Sequence, residues 1–331
     1  MADLAARVRA ELSQAVPVQS FVRNRSIAVL LPCYNEAATI AQVVEGFRTA
    51  LPGALIYVYD NNSTDGTAAA AAKAGAIVRF EPYQGKGNVV RRMFADIDAD
   101  VLVLADGDMT YDPAHAGRLI DLLISDNLDM VVGARVSEEA SAYRAGHRLG
   151  NQVFTGLVRR LFGQGFTDIF SGYRVFSRRF AKSFPAGSTG FEIETELAVH
   201  ALDLKLACRE LPILYGSRPQ DSHSKLNTYR DGARILRRIA RMFRTLHPLR
   251  FYGGCAGALA LSAIVLGFPL LVTYLQTGLV PRLPTAVLAM GLMQLAMLAG
   301  ACGLILEEIA ASRREIKRLR YLELPSPAGG R

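Results

Sequence analysis

Short apolar runs alternate with helical patterns through the first half of this 331-residue chain, and this alternation is the feature that most constrains its fold. The apolar runs cover residues 27–31, 55–60, 76–80, 101–106 and 129–134. Helical patterns begin near Ala37, Gly66, Asn88 and Pro113. Strands that alternate with helices predict an α/β domain whose mostly parallel sheet is covered on both faces. A more mixed region, 146–215, is expected to complete the same domain.

Polar segments follow several of these apolar runs, at the strand ends where sheets of this kind bind their ligands. Asp106 and Asp108 come directly after the fourth run, with Gly107 between them. Mg²⁺ commonly takes one or two protein carboxylates and completes its shell with phosphate and water. Because Asp112 before Pro113 already supplies a helix N-cap, we expect the other two aspartates to bind Mg²⁺ or Mn²⁺.

Two further polar segments have patterns that suit a ligand. DNNSTDGT, residues 60–67, offers side chains that could accept hydrogen bonds from a base or a ribose, or could cap the next helix, and both roles remain open. QGKGN, residues 84–88, places Lys86 between two glycines. It lacks the upstream glycine and the following Ser or Thr of a Walker A loop, but it suits contact with an anion.

Two nearly charge-free stretches, 251–276 and 284–306, follow the α/β region. Each exceeds the roughly 20 residues that a helix needs to cross the hydrocarbon core. Basic residues crowd before the first stretch and after the second, whereas the connection carries only Arg282. The positive-inside rule therefore predicts two spans with both termini and the preceding domain in the cytoplasm.

The segment before the first apolar stretch has the pattern of a basic amphipathic helix. Apolar residues recur there at three- and four-residue spacing, and the intervening positions carry Arg230, Arg234, Arg237, Arg238, Arg241 and Arg244. This pattern, with a net charge of +8, favours an anionic lipid surface. The alternative is a solvated helix that packs on its own domain. Nucleic acid is not expected as a partner, because the arginines adjoin the apolar stretches and no recognised nucleic-acid motif is present.

The four cysteines are far apart and form no CxxC pair, which argues against a zinc site or a disulfide framework. Residues 1–25 have no long apolar core, so we expect a short amphipathic helix there rather than a signal peptide. The expected organisation continues with a catalytic domain over 26–225, a basic juxtamembrane helix over 226–249, a two-helix hairpin over 250–308 and a basic cytoplasmic tail over 309–331.

Five segments in a fixed order carry a resemblance to a known family: LLPCYNEAATI, DNNSTDGT, GKGNVVRRM, LADGDMTYDP and GAR. Together they resemble the family 2 glycosyltransferases of GT-A fold over about residues 26–225. RPQDSHSKL, residues 218–226, and the two apolar stretches are similar to the polyprenyl-phosphate glycosyltransferases, relatives of dolichol-phosphate mannosyltransferase and of the bacterial undecaprenyl-phosphate glucosyl and aminoarabinosyl transferases. The resemblance implies an inverting, metal-dependent enzyme of the inner membrane. Such an enzyme transfers a sugar from a UDP or GDP donor to a polyprenyl phosphate such as undecaprenyl phosphate, and we expect a homo-oligomer by the same resemblance.

The resemblance also implies roles for individual residues. Those expected at the nucleotide-sugar donor are Pro32, Tyr34, Asn35, Glu36, Asp60, Asn62, Lys86, Gly87, Asp106 and Gly107. Those expected at the acceptor phosphate are Arg135, Arg148, Arg218, Ser224 and Lys225. Many relatives carry a further aspartate where this chain has Leu104, so catalysis and metal binding are expected to rest on Asp106 and Asp108. Glu192, Glu194 and Glu196 stand where relatives carry acidic residues, and both a site role and a structural role remain open.

The sequence is less consistent with two other functions. A processive polysaccharide synthase is disfavoured because its QxxRW motif needs a tryptophan, which this chain lacks, and because two spans are too few for its channel. A non-catalytic membrane scaffold that binds a nucleotide sugar is disfavoured by the intact DGD motif and by the polar cluster from Arg218 to Lys225.

Overall fold

The computed structural model describes residues 25–136, 145–216 and 228–327, with side chains from residue 150 in the second range and from residue 232 in the third. Its centre is a seven-stranded sheet in the order β3-β2-β1-β4-β6-β5-β7. The strands are β1 Ile27–Cys33, β2 Leu55–Asp60, β3 Ile77–Phe80, β4 Val101–Leu104, β5 Met130–Val136, β6 Arg174–Ser177 and β7 Cys208–Leu214. The predicted N-terminal helix over 1–25 lies almost wholly outside the described residues.

The direction of the strands determines where a ligand could bind. All neighbouring pairs are parallel except those made by β6, which runs antiparallel to both β4 and β5. The carboxyl ends of the other six strands therefore lie at one edge, called here the carboxyl edge. Because β6 is reversed, the loop that precedes it lies at the same edge. The mostly parallel sheet predicted from the sequence is confirmed.

Helices cover the sheet in the predicted alternation. They are α1 Ile40–Ala50, α2 Thr67–Lys73, α3 Lys86–Asp96, α4 Ala116–Ser125, α5 Ala145–Phe162, α6 Arg178–Ser183 and α7 Ile193–Leu204, with a 3₁₀ turn at Pro113–His115 before α4. The predicted cap is present, because the Asp112 side chain accepts a hydrogen bond of 2.9 Å from the Ala114 amide. On α1, apolar residues at three- and four-residue spacing form the buried face: Ile40, Val43, Val44 and Phe47.

The core lies on both faces of the central strands. All four residues of β4 are buried, including Leu104. A fully buried Leu or Val side chain contributes roughly 1.5–3 kcal/mol of hydrophobic stabilisation. Leu104 is therefore part of the packed strand, and the polar loop begins only after it.

The last two strands in chain order, β6 and β7, were not predicted from the sequence. Their region, 146–215, was expected only to complete the domain. The four-residue strand β6 begins with Arg174, which is fully buried. Its guanidinium donates to the carbonyl oxygens of Ile169 and Ser171 at 2.6 and 2.9 Å. A charged residue in so short a core strand hides the apolar pattern on which strand prediction depends.

Three helices follow the sheet domain: α8 Thr228–Leu246, α9 Pro248–Thr277 and α10 Leu283–Leu322. The helices α9 and α10 are long and apolar enough to cross a membrane, and most of their apolar side chains are exposed. The chain divides into two compact units, one of residues 238–316 and the other of the residues before and after them. The segment predicted as a tail differs from expectation, because α10 continues through it to Leu322.

Residues 317–323, named here the C-terminal strap, contact the sheet domain. Lys317 Nζ lies 3.2 Å from Asp203 Oδ2, and the Tyr321 hydroxyl donates to Asp129 Oδ2 at 2.9 Å. Arg179 completes the cluster, with its Nε 2.5 Å from Asp129 Oδ1 and its guanidinium 4.6 Å from the centre of the Tyr321 ring. Asp129 precedes β5, so the strap is bound at the edge opposite the carboxyl edge.

Candidate functional site

The loop after β4 holds the two aspartates predicted to bind a metal. The Asp106 side chain is 28% exposed, whereas Asp108 is buried. Asp108 Oδ1 accepts hydrogen bonds from the Thr110 amide at 3.2 Å and from the Thr110 hydroxyl at 2.5 Å. Met109, between these two residues, has a left-handed φ of 62°. This turn fixes the orientation of the Asp108 carboxylate.

Contacts from several parts of the fold hold this loop. The Thr39 hydroxyl donates to the Gly107 carbonyl at 2.7 Å, and the Gly172 amide donates to the Tyr111 hydroxyl at 2.8 Å. A Cβ on Gly107 would lie only 2.7 Å from the Cys33 sulfur, so the close approach of the loop to β1 requires glycine. The DGD motif is therefore held in place by contacts within the protein.

Lys86, at the start of α3, forms an ion-pair cluster with two carboxylates. Its Nζ lies 2.5 Å from Asp106 Oδ1 and 2.7 Å from Glu194 Oε1. Burial alone would lower the pKa of Lys86, but the charges of Asp106 and Glu194 together raise that pKa above its ordinary value. Burial raises the pKa of Glu194, and the charge of Lys86 offsets this only in part. Lys86 therefore remains charged at neutral pH.

The start of α3 packs directly on the segment that precedes α7. The Gly87 amide donates to the Thr189 carbonyl at 3.1 Å. A Cβ on Gly87 would lie 2.3 Å from the Ser188 carbonyl oxygen, which explains why glycine is needed there. The Gly87 amide, predicted to contact an anion, is thus engaged within the protein, and the Lys86 ammonium is the polar group that this turn presents beside Asp106.

The residues predicted to line the nucleotide lie at the ends of β1 and β2. Asn35 has a left-handed φ of 53°, and its Oδ1 accepts from the Thr64 amide at 2.8 Å. Asn62 donates to the Pro82 carbonyl at 3.0 Å. Asp60 accepts from the Ser63 amide at 3.3 Å, but its Oδ1 is buried and has no hydrogen-bond partner within the described ranges. Since a buried acceptor normally has a partner, Asp60 is suited to receive a ligand hydroxyl or amine. Pro32, Tyr34 and Glu36 lie beside these residues at the end of β1.

Arg135, predicted at the acceptor phosphate, forms a two-point ion pair with Asp168 in the loop before β6. Its Nε and Nη2 each lie 2.7 Å from an oxygen of that carboxylate. Burial would raise the pKa of Asp168, but the charge and hydrogen bonds of Arg135 hold that pKa below its usual range. Arg218, Ser224 and Lys225 lie outside the described residues, as does the side chain of Arg148, a residue of α5.

The structure thus brings together Asp106, Lys86 and Gly107, and it adds two carboxylates whose roles the sequence did not assign. Glu194 belongs to the acidic run EIE, residues 192–194, at the start of α7. This run marks the segment as a candidate, but it does not indicate which residue Glu194 contacts. No sequence pattern marks Asp168, because its ion pair is made with Arg135 of strand β5, which is distant along the chain. The assignments of the donor and acceptor residues stay predictions.

The carboxylate pair was tested against the requirements of a divalent metal. Within the described ranges, no group of three His, Cys, Asp or Glu side chains converges on one point. Asp106 and Asp108 are one residue apart, with one carboxylate partly exposed and the other fixed by Thr110. Two carboxylate ligands fit Mg²⁺ or Mn²⁺ when a bound diphosphate and water complete the shell.

Comparison with known proteins shows the family of this chain. Residues 28–184 match the model of glycosyl transferase family 2. Glycosyltransferase AglJ of Haloferax volcanii is 37% identical over 251 residues, which are 75% of this chain and 82% of that protein. A second protein of Haloferax volcanii, named dolichyl-phosphate hexose transferase, is 29% identical over 217 residues, covering 65% of this chain and 93% of that protein.

Solved structures support the fold. Glucosyl-3-phosphoglycerate synthase from Mycobacterium tuberculosis, crystallised with Mn²⁺, UDP-glucose and phosphoglyceric acid, aligns with a TM-score of 0.55 and 23% identity. The alignment covers 69% of this chain and 81% of that chain. At this identity the likeness concerns the fold alone, which agrees with the GT-A fold expected from the sequence.

Proposed function

Since this chain belongs to glycosyl transferase family 2, we propose that it transfers a sugar from a UDP- or GDP-linked donor to a polyprenyl phosphate such as undecaprenyl phosphate, with inversion at the sugar carbon. The observation that carries the proposal is the presence, in one chain, of a carboxylate pair at the carboxyl edge and two helices long and apolar enough to cross a membrane. The name of the dolichyl-phosphate hexose transferase supports a lipid phosphate as acceptor.

Each group of the site has a role in this reaction. Held by Asp106 and Asp108, Mg²⁺ or Mn²⁺ would supply positive charge to the departing diphosphate. Thr110 orients Asp108, and Thr39 fixes the loop through the Gly107 carbonyl. Lys86 provides a fixed positive charge beside Asp106. These groups are arranged before the donor binds, as electrostatic stabilisation of a leaving group requires.

The acceptor needs little general-base assistance, because a polyprenyl phosphate is already an anion. We assign its binding to Arg135, with Arg148, Arg218, Ser224 and Lys225 as further members of the cluster. The two-point pairing with Asp168 fixes the plane of the Arg135 guanidinium and leaves it at the carboxyl edge. An oriented guanidinium suits a phosphate group.

The amphipathic helix α8 supports an arrangement at an anionic lipid surface. Ile239 and Met242 are buried, whereas Arg237, Arg241 and Arg244 are exposed. Each exposed arginine near such a surface would contribute about 1 kcal/mol to binding. We place the enzyme in the inner membrane with its catalytic domain and both termini in the cytoplasm, and we expect a homo-oligomer.

The test uses the purified full-length protein in lipid nanodiscs. Radiolabelled UDP-glucose, GDP-mannose and other nucleotide sugars are supplied one at a time with Mn²⁺ and undecaprenyl phosphate. We expect label in the organic phase with one donor class, and loss of that label when EDTA removes the metal. Label that appears only in a polymer, or on no acceptor, would contradict the proposal.

A further inference from the structure

Lys86 joins two carboxylates that differ in their access to solvent. The side chain of Asp106 is 28% exposed, whereas those of Lys86 and Glu194 are 9% and 6% exposed. Asp106 is therefore the member of this cluster that an arriving cation can reach most readily, and Glu194 is the least accessible one.

We propose that Glu194 is a positioning residue for the divalent cation: by sharing the ammonium of Lys86, it leaves Asp106 with enough negative charge to bind the metal. This inference rests on the proposed function, because it concerns the same metal site. Glu194 touches neither the donor nor the metal in this scheme and acts entirely through Lys86.

The balance of charge is the first argument. Lys86 and Asp106 alone would form a neutral pair, and a neutral pair attracts a dication only weakly. With Glu194 the three side chains carry one net negative charge, and Asp108 adds a second. The ammonium donates to both carboxylates at similar distances, 2.5 and 2.7 Å, so neither holds it alone.

The surroundings of Glu194 are the second argument. It lies in the first turn of α7, where the helix dipole favours a negative charge. Its Oε2 is buried and, within the described ranges, has no hydrogen-bond partner, so the carboxylate serves no other ion pair there. Among the residues that the structure describes, its one polar side-chain contact is with Lys86.

The backbone beside Asp106 is the third argument. A Cβ on Gly172 would lie 2.5 Å from Asp106 Oδ2 and 3.1 Å from Lys86 Nζ. The Gly172 main chain therefore lies close to the pair, and a side chain there would displace it. Glu194 Oε1, 2.7 Å from Lys86 Nζ, is the second carboxylate that shares the ammonium.

The experiment measures Mn²⁺ affinity of the full-length protein in detergent, by electron paramagnetic resonance, with and without UDP. We expect Glu194→Gln to weaken Mn²⁺ binding by about 10–100-fold, the usual effect of losing a partner that orients a metal ligand. Glu194→Asp, which keeps the charge, should recover part of that loss. Glu45→Gln, on the exposed face of α1, is the matched control and should bind Mn²⁺ like the wild type.

A second pair of variants separates this role from a general structural one. In a Lys86→Met background, Glu194→Gln should change Mn²⁺ affinity by less than about twofold, because the residue through which Glu194 acts is gone. A merely structural Glu194 would weaken binding equally in both backgrounds and would lower the unfolding temperature in parallel.

The outcomes also separate this inference from the proposed function. Wild-type transfer to the lipid together with unchanged Mn²⁺ affinity in Glu194→Gln would overturn the inference and leave the function intact. Absence of Mn²⁺ binding by the wild type would likewise overturn it, while lipid transfer is measured independently. A third outcome is weakened Mn²⁺ binding in Glu194→Gln together with no sugar transfer to the lipid by the wild type. It would support the inference and contradict the proposed polyprenyl-phosphate acceptor.

Discussion

Asp108 is the more enclosed carboxylate of the DGD motif, and its orientation is fixed by Thr110. We expect Asp108→Ala to lower sugar transfer at least about 100-fold, which corresponds to about 3 kcal/mol of lost transition-state stabilisation. Initial rates with saturating donor provide the measurement. Asp112→Ala is the control, because it removes only a cap worth about 1 kcal/mol of stability. Comparable rates for Asp108→Ala and the wild type would refute the metal role.

Gly172 gives a second prediction at the scale of one residue. In Gly172→Ala the new Cβ would crowd Asp106 Oδ2 at 2.5 Å, so the Lys86–Asp106 pair must shift. We expect a fall in transfer and in Mn²⁺ affinity with the fold retained, as judged by circular dichroism. Gly156→Ala, with no atom within 4 Å of its Cβ, should behave like the wild type.

The site residues that follow apolar runs were predicted from the sequence, because a polar group at the end of such a run is a local pattern. Asp106 and Asp108 were predicted in this way, and Lys86 was predicted from the two glycines that flank it. Glu194 and Asp168 were not assigned roles, since each acts on a residue from a distant part of the chain. The ion-pair partner of a residue depends on the tertiary structure, so the periodicity of the sequence does not predict it.

At the scale of elements, the C-terminal strap connects α10 to the sheet domain through a buried carboxylate. Tyr321→Phe removes the hydroxyl that donates to Asp129 and leaves an acceptor less satisfied. We expect a loss of about 1–3 kcal/mol in the free energy of unfolding, measured by thermal denaturation in detergent. Tyr274→Phe, at an exposed position of α9, is the matched control. Equal unfolding temperatures for both variants would show that the strap contributes nothing to stability.

The elements themselves were predictable where the apolar period was clear. Five strands and the helices between them follow from that period, with small shifts such as α1 beginning at Ile40 rather than near Ala37. The reversed strand β6 was missed because buried Arg174 interrupts a short apolar run. The edge strand β7, which pairs with β5, was missed because only Ile213 among its seven residues is buried.

At the scale of the whole molecule, the strap bears on how the chain would cross a membrane. The residues before 238 and those after 316 belong to one compact unit. If the segment between them crosses a membrane, it must return to the side from which it left, which requires an even number of crossings. Two apolar helices meet this requirement.

Cysteine labelling tests this topology. In a variant that lacks Cys255 and Cys302, we introduce either Leu279→Cys, between α9 and α10, or Ser326→Cys, beyond the strap. A membrane-impermeant maleimide added to intact spheroplasts should label the first cysteine and spare the second. Labelling of Ser326→Cys from outside would contradict cytoplasmic placement of the terminus.

The strap also sets an order of events during synthesis. Asp129, Arg179 and Asp203 leave the ribosome before either apolar helix, whereas Lys317 and Tyr321 leave after both. Domains made on the ribosome generally fold from the N-terminal side as they emerge. Until residues 317–321 have been made, Asp203 lacks its ion-pair partner Lys317 and Asp129 lacks the hydrogen bond from Tyr321. The contacts of the strap can therefore form only after both apolar helices have been synthesised.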